Sequence, residues 1–175
     1  MVLSAFGMLW SQSLSDDDSS WFAGWQERAA KLDAYRTVPA AELQDAAKAE
    51  AISWLDKDAD YASRHFQKTG AGLGEAFGEY YIDLTLFVAG LKDPRSINAL
   101  TKVMDVAGRV STTLAEFGDA AVEPVLGQLN NPVLRKGAIF TLGKFVEGSQ
   151  KGKTKISDAN IKNIKQAVLN SARDP

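Results

Sequence analysis

Acidic side chains provide the first candidates for chemistry in this sequence. Glu75, Glu79 and Asp83 follow one another at intervals of four residues, which places them on one side of a helix. Two carboxylates can serve as acid and base in hydrolysis, but Glu79 and Asp83 lie one turn apart on one predicted helix and no loop presents them. We therefore predict no catalytic residue. Glu79 and Asp83 are kept as candidate binding residues, and the alternative is a solvated helix face.

A second acidic group has the spacing of a calcium loop. Asp56, Asp58 and Asp60 occupy alternate positions, as the first ligands of an EF-hand do. That loop also needs Gly at its sixth position and Glu at its twelfth, where this sequence has Tyr61 and Gln67. One histidine and no cysteine exclude His-rich and thiolate metal sites. We predict no metal and no cofactor, and we interpret the aspartates as a junction between helices.

Three closely spaced glycines raise the question of a phosphate site. Gly70, Gly72 and Gly74 resemble a phosphate-binding loop only in their glycine content. A Walker loop follows a strand and continues into Lys and Ser or Thr, whereas this run joins two helical patterns and continues into Glu75. The glycines are predicted to end one helix in left-handed geometry and to start the next.

A basic and aromatic surface is the strongest candidate for binding. Lys136, Phe140 and Lys144 are spaced by four residues on a predicted helix, and Phe140 lies about 200° from the apolar stripe of that helix at 100° per residue. An exposed aromatic ring between two lysines suits a peptide carboxylate or an acidic segment. The alternative is that Phe140 packs against a neighbouring helix.

The helices that carry these residues belong to a repeat. The apolar pattern of a first helix occurs twice with an offset of 25 residues, and the apolar pattern of a second helix occurs twice with an offset of 28. The first stripe is Ile97, Leu100 and Met104, then Val122, Val125 and Leu129; the second is Val110, Leu114 and Phe117, then Ala138, Leu142 and Phe145. Helical hairpins with one apolar stripe on each helix bury it by stacking, so the repeat predicts an all-α superhelix, an α-solenoid of about eight to nine helices.

The amino-acid pattern of the repeat resembles that of a known family. Residues 114–126 read LAEFGDAAVEPVL, and the helix after the turn at Pro132 carries an Arg, a small residue and a Leu-Gly pair. These positions are filled by Arg135, Ala138, Leu142 and Gly143. The pattern is similar to the short HEAT-like repeat of the phycobilisome-lyase type, although the first copy has Ala107 and Ala115 where Arg and Gly are expected.

The resemblance implies a function class and a surface. Members of this family are mostly protein-interaction scaffolds, with some enzymes and chromophore lyases, and the second helix of each hairpin lines the concave side. In the first copy the counterparts of Phe140 and Lys144 are Thr112 and Glu116, and we expect Glu116 to pair with Lys144. We predict a non-catalytic scaffold that binds a protein or peptide through these residues. The alternatives are a HEAT-like enzyme, either a lyase or a DNA-glycosylase-like protein, and a self-association module.

Composition and charge agree with one globular domain. The chain has 175 residues, 45% of them hydrophobic and 24% charged, which is enough apolar material for a core. The net charge of minus 2 combines plus 6 from residue 130 onward with minus 8 before it. Nucleic acid is not expected as a partner, since a reader of DNA carries a continuous basic groove. The polarity favours either an anionic partner at the C-terminal end or head-to-tail association.

Both ends of the chain are predicted to cap the repeats. We expect one domain over 1–175, with a helical N-terminal region over 1–71, repeats over 72–148 and a capping helix over 157–172. Trp21 to Tyr35 predicts one helix, and Pro39 suits the first turn of the next. The apolar run from Met1 to Trp10 is too short to span a bilayer. It is either a packed helix or, through Ser13, the remnant of a signal peptide, so the compartment stays open between cytoplasmic and extracytoplasmic.

Overall fold

The apolar stripes of the sequence form helices that share one core. The computed structural model describes residues 16–171, with side chains from Ser20 onward. All regular structure in this part of the chain is helical, which confirms the all-α class. Buried apolar residues from Leu32 to Ile164 form one contiguous cluster. No helix within these bounds is both long and apolar enough to cross a membrane.

Nine α-helices and three short 3₁₀ segments make up the regular structure of the described residues. The α-helices are α1 (Asp16–Ala23), α2 (Trp25–Arg36), α3 (Asp45–Thr69), α4 (Glu75–Leu91), α5 (Ile97–Thr101), α6 (Gly108–Glu116), α7 (Val122–Leu126), α8 (Arg135–Gln150) and α9 (Asp158–Ser171). The 3₁₀ segments are Pro94–Ser96, Gly118–Ala121 and Gly127–Asn130, and they flank α5 and α7.

The helices pack in two rows. The first row is α3, α5 and α7, where each helix contacts the next, and the second row is α4, α6 and α8. Each first-row helix also contacts the second-row helix that follows it in the chain, so the pairs are antiparallel neighbours joined by short connections. Helix α2 packs on α3 and α4, and α9 packs on α7 and α8.

The repeated stripes form the centre of this packing. In both copies the first-helix residues are buried, and Val110, Leu114, Ala138, Leu142 and Phe145 are completely buried. Phe117 is partly buried against the same core. Complete burial of one Leu or Phe side chain contributes about 1.5–3 kcal/mol, so the stripes hold the rows together.

The N-terminal helices differ from the prediction at two places. The predicted helix from Trp21 to Tyr35 is interrupted at Gly24, because the Trp21 carbonyl accepts from the Gly24 amide at 3.3 Å and from the Arg28 guanidinium at 2.8 Å. The prediction that Pro39 opens a helix is wrong. The Pro39 carbonyl accepts from the amides of Glu42 and Leu43, which forms one isolated turn. The backbone of Gln44 is extended, so α3 begins only at Asp45.

Other local predictions have clear outcomes. No junction occurs at the three aspartates, because α3 runs without a break from Asp45 to Thr69. Gly70 ends α3 with a φ of 67°, as predicted, and the Ser157 hydroxyl accepts from the Asn160 amide at the start of α9. The predictions for Met1 to Ser13, a packed helix or the remnant of a signal peptide, lie outside the described residues.

Candidate binding surfaces

The predicted aromatic residue lies on the surface of α8. The side chain of Phe140 is 53% exposed, so the alternative that it packs against a neighbouring helix is wrong. The Lys144 ammonium lies 5.5 Å from the centre of the Phe140 ring, within the range of a cation–π contact. Lys136, one turn earlier, is also exposed. The three residues therefore form one exposed strip, which we call the Phe140 strip.

The first-copy residues lie beside this strip, with different ionic partners from those predicted. Thr112, Glu116 and Lys144 line a shallow groove of about 240 Å³ between α6 and α8. The expected pairing of Glu116 with Lys144 is wrong. Glu116 binds the Lys92 ammonium at 2.9 Å, and Lys144 binds Glu147 at 3.0 Å, one turn further along its own helix. Lys144 and Glu147 are three residues apart on α8, so the helix itself brings them together, whereas a pair with Glu116 would have to form across the groove between α6 and α8.

Lysines surround Glu147 at the end of this groove. Hydrogen bonds from Lys151 and Lys144 lower the pKa of Glu147 to about 2. The carboxylate stays ionised at all physiological pH values and holds both ammonium groups on the surface. The groove of Thr112 and Lys144 is therefore charged on both sides but close to neutral in sum.

The two predicted acidic residues are not part of this groove. Asp83 on α4 forms an ion pair with Arg36 of α2 at 2.7 Å. This pair neutralises part of the negative charge on the helix face that carries Glu75, Glu79 and Asp83. Glu79 is exposed on the same helix. Neither residue lines the groove that contains Thr112 and Lys144. The structure thus groups Thr112, Glu116, Phe140 and Lys144, and it separates them from Glu79 and Asp83.

Two further depressions lie on the opposite row of helices. One cavity of about 660 Å³ is bounded by α3, α5 and α7, and a second of about 390 Å³ continues along α3 towards the turn before α8. Lys102 and Gln128 line both cavities, so the two are neighbours along α3, and we call them together the first-row groove. Exposed Ala49 lies near one end of it and exposed Phe66 near the other.

Carboxylates dominate the chemistry of the first-row groove. The Lys102 ammonium binds Asp56 at 2.9 Å and Asp60 at 2.8 Å. Partial burial acts to lower the pKa of Lys102, but the hydrogen bonds that its ammonium donates to Asp60 and Asp56 outweigh that effect and raise the pKa, so the ammonium stays protonated. At the other end Arg95 binds Asp45 and Asp93, each at 2.6 Å, and it lowers the pKa of both carboxyls.

The sequence contained a signal for this groove that the calcium comparison obscured. Asp56 and Asp60 are four residues apart, so a continuous helix places them on one face. Asp58 between them points into the protein and is fully buried. The pattern is therefore a helix with two outward carboxylates and one inward carboxylate, rather than a junction.

The inward carboxylate belongs to a buried polar cluster that joins four helices. Asp58 accepts from the Arg28 guanidinium at 3.0 Å, the Trp21 indole at 2.7 Å and the Tyr80 hydroxyl at 3.0 Å. Burial raises the pKa of Asp58, and the Arg28 charge opposes that rise. Burial also raises the pKa of Tyr80. Since every group is hydrogen-bonded within the cluster, its role is that of a brace between α1, α2, α3 and α4.

An apolar groove separates the last two helices. It has a volume of about 570 Å³ and lies between α8 and α9. We call it the end groove; its lining is Ile139, Leu142, Gly143, Val146, Glu147, Gln150, Ile164, Lys165, Val168 and Leu169. Leu169 is 56% exposed and Ile139 is 37% exposed, so apolar surface is open to solvent there.

Comparison with known proteins adds no neighbour to these observations. No family model, curated protein or solved structure matches this chain. The resemblance to HEAT-like repeats, the binding role and the compartment therefore stay predictions. Within residues 16–171, no three His, Asp or Glu side chains are grouped so that they could hold a metal ion.

Proposed function

We propose that this chain is a non-catalytic binding module, built as a short HEAT-like α-solenoid, that holds an extended protein segment in the first-row groove. The two-row packing and the doubled stripes support the solenoid. The observation that carries the binding role is the row of two neighbouring cavities along α3, which share the lining residues Lys102 and Gln128. Each cavity falls within the range of about 300–1,000 Å³ that is typical of ligand sites.

The dimensions of the groove suit an extended segment. From Ala49 to Phe66, α3 rises about 26 Å at 1.5 Å per residue. An extended chain covers that distance with about eight residues at 3.3 to 3.6 Å each. The groove is open along its length, so a polypeptide can lie in it without entering the core. A repeat protein offers such a surface because each hairpin adds one more segment of wall.

The charges of the groove select a basic segment. Asp45, Asp56, Asp60, Asp93 and Asp105 surround it, and they outnumber the nearby cations Lys48, Arg95 and Lys102. Two of these cations already bind two carboxylates each, so an added Lys or Arg of a partner finds excess negative charge. The same excess disfavours nucleic acid, whose phosphates need a basic groove.

The Phe140 strip is the second candidate surface, for a partner of opposite charge. An aromatic ring that is 53% exposed under a lysine ammonium presents both an apolar anchor and a positive charge. That arrangement suits a segment with an apolar residue beside a carboxylate. The strip lies on the second row, so its occupancy and that of the first-row groove are separable by mutation.

One pair of variants on α3 tests the main proposal. Ala49 is exposed and lines the groove, whereas Ala46 is exposed on the same helix but does not line it. Ala49→Arg introduces bulk and positive charge into the groove, Ala49→Glu introduces bulk with negative charge, and Ala46→Arg adds the same positive charge outside it. The probes are three fluorescein-labelled Gly-Ser peptides of about eight residues, the length that matches the groove, containing Lys, Glu or neither.

The outcomes distinguish the two surfaces. We expect fluorescence anisotropy to show binding of the Lys peptide to wild type and Ala46→Arg, roughly ten-fold weaker binding to Ala49→Arg because like charges oppose each other, and weaker binding at higher salt. Equal binding to Ala49→Arg and Ala46→Arg overturns the first-row groove. Preferential binding of the Glu peptide, lost in Phe140→Ala or Lys144→Glu, assigns the function to the Phe140 strip instead.

A further inference from the structure

The end groove between α8 and α9 is an apolar surface that the proposed function does not use. Leu142, which is completely buried, and Ile164, which is almost completely buried, form its floor. Ile139 and Leu169 lie on its open sides. The exposed Phe140 lies next to Ile139 on α8. Contiguous apolar surface of this kind, at the last helix of the described chain, marks an interaction site.

The surroundings of the end groove are basic once Glu147, the one acid among the described residues that line it, is counted with Lys144 and Lys151, which it binds. Lys165 lines it, and Lys162 is exposed one turn earlier on α9. From residue 130 onward the chain carries nine Lys or Arg against three acidic residues. An occupant that combines apolar residues with acidic ones would match both the floor and the rim.

This chain itself contains a segment of that composition. Eight of the ten residues from Met1 to Trp10 are apolar, and the run is followed closely by Asp16, Asp17 and Asp18. Leu3, Phe6 and Trp10 have the spacing i, i+3 and i+7, by which helical segments place anchors in an apolar groove. The apolar run therefore matches the floor of the end groove, and the aspartates match its lysines.

The distance along the protein favours a second copy as the source of this segment. Helix α1 begins at Asp16 and packs through Trp21 and Phe22 on α3 and α4, whereas the end groove lies beyond the α5–α6 and α7–α8 pairs. The start of α1 and the end groove are separated by three or more helix spacings of 8–10 Å, which amounts to roughly 30 Å. The six residues from Trp10 to Asp16 span about 20 Å when fully extended, so the run does not reach the end groove of its own copy.

We propose that the Met1–Trp10 segment of one copy packs into the end groove of a second copy, so that copies associate head to tail. The contact joins two different surfaces, which makes it heterologous. Such contacts continue from copy to copy and produce rings when the rotation closes and open chains when it does not. The association leaves the first-row groove of every copy free for a partner, because the two grooves share no lining residue.

Two single substitutions in the full-length chain test the proposal by complementation. Phe6→Asp removes an anchor from the segment but leaves the end groove intact, and Leu169→Glu places a charge in the groove but leaves the segment intact. Ser4→Asp and Gln166→Glu are their matched controls, because each adds the same charge in the same segment or helix. Gln166 is exposed on α9 and does not line the end groove. Circular dichroism checks that helicity is unchanged, and intact mass checks that residues 1–10 are present in every sample.

Sedimentation velocity from low to high micromolar concentration provides the readout. We expect wild type and both controls to show a mass that increases with concentration, and Phe6→Asp and Leu169→Glu each to stay monomeric. A mixture of the two monomeric variants is expected to form a one-to-one complex and nothing larger, since one intact segment and one intact groove remain. A monomeric wild type, or association that persists in either variant, overturns the proposal, as does a mixture that stays monomeric.

Discussion

Arg28 of α2 and Asp58 of α3 form an ion pair in which the two side chains are only 9% and 1% exposed. The guanidinium also lies 3.9 Å from the centre of the Trp21 ring, and Tyr80 of α4 donates to the second carboxylate oxygen. A buried charge without its partner is costly, so this pair fixes where α2 sits on the rest of the protein. The N-terminal helices are therefore part of the cooperative fold.

Replacing Arg28 tests the strength of that brace. We expect Arg28→Met to lower the free energy of unfolding by about 3–5 kcal/mol at pH 7, because it leaves the Asp58 carboxylate buried without a counter-charge. Arg36→Met, which removes the exposed ion pair with Asp83, is the control and is expected to cost at most about 1 kcal/mol. Urea unfolding measures both values.

The pH dependence of the same variant has a defined sign. The pKa of Asp58 is raised in the native protein, so as pH rises the unfolded chain loses this proton first and stability falls until the native group has ionised. Without Arg28 the native pKa rises further, and this loss extends to higher pH. The deficit of Arg28→Met should thus be smaller near pH 4 than at pH 7. An equal deficit at both values would contradict the buried ion pair.

A buried hydrogen bond joins the two repeat copies. The Ser111 and Thr141 hydroxyls lie 2.8 Å apart between α6 and α8, and Thr141 donates to the Gly137 carbonyl. Thr141→Val keeps the shape but leaves Ser111 without its acceptor, so we expect a loss of about 1–3 kcal/mol. Ser111→Ala combined with Thr141→Val should cost less than the two single changes together. Strict additivity in urea unfolding would show that the contact carries no coupling.

Gly118 lies where chain geometry requires glycine. Its φ is 64°, and an added Cβ would lie 2.5 Å from the Lys155 carbonyl oxygen. Gly118→Ala is expected to lower stability by at least about 2 kcal/mol, from the left-handed backbone and from the clash. Gly152 has a similar φ, but an added Cβ there would meet no other atom. Gly152→Ala should therefore lower stability by the backbone cost alone, about 1 kcal/mol. Gly127→Ala, in open space with a negative φ, should be neutral or slightly stabilising. Thermal unfolding of the three variants checks this order.

Lys102 controls the charge of the first-row groove. Lys102→Met removes the ammonium between Asp56 and Asp60 and leaves two carboxylates four residues apart on α3, which costs a few tenths of a kcal/mol in stability. The same change should make a Lys-containing peptide bind several-fold more tightly at low salt. Lys92→Met alters the net charge equally on another surface and should leave the affinity unchanged. Weaker binding by Lys102→Met would show that the ammonium itself contacts the partner.

The repeated core was accessible from the sequence because its signal is local. Ile97, Leu100 and Met104 lie within two turns, and burial follows directly from that spacing. The same reasoning found the left-handed end of α3 at Gly70 and the exposure of Phe140, since both depend on one helix and its phase.

The features that the sequence did not reveal depend on distant partners. Asp58 is buried because Arg28 and Tyr80 reach it from 30 and 22 residues away. Glu116 pairs with Lys92 rather than Lys144 for a similar reason, because the packing of α4 beside α6 depends on tertiary contacts. The first-row groove is a space between helices, and its residues have no common pattern apart from the pair Asp56 and Asp60.

The unequal lengths of the first-row helices divide the groove into a stiff side and a soft side. Helix α3 has 25 residues, whereas α5 and α7 have five each and continue into 3₁₀ segments or turns. Short helices have few internal hydrogen bonds, so α5 and α7 are held mainly by the packing of their buried side chains, whereas the middle of α3 is also held by a long run of helix hydrogen bonds. Amide hydrogen exchange should therefore be faster in α5 and α7 than in the middle of α3. A bound segment would slow that exchange most at α5 and α7, so protection against deuterium reports occupancy without any label on the partner.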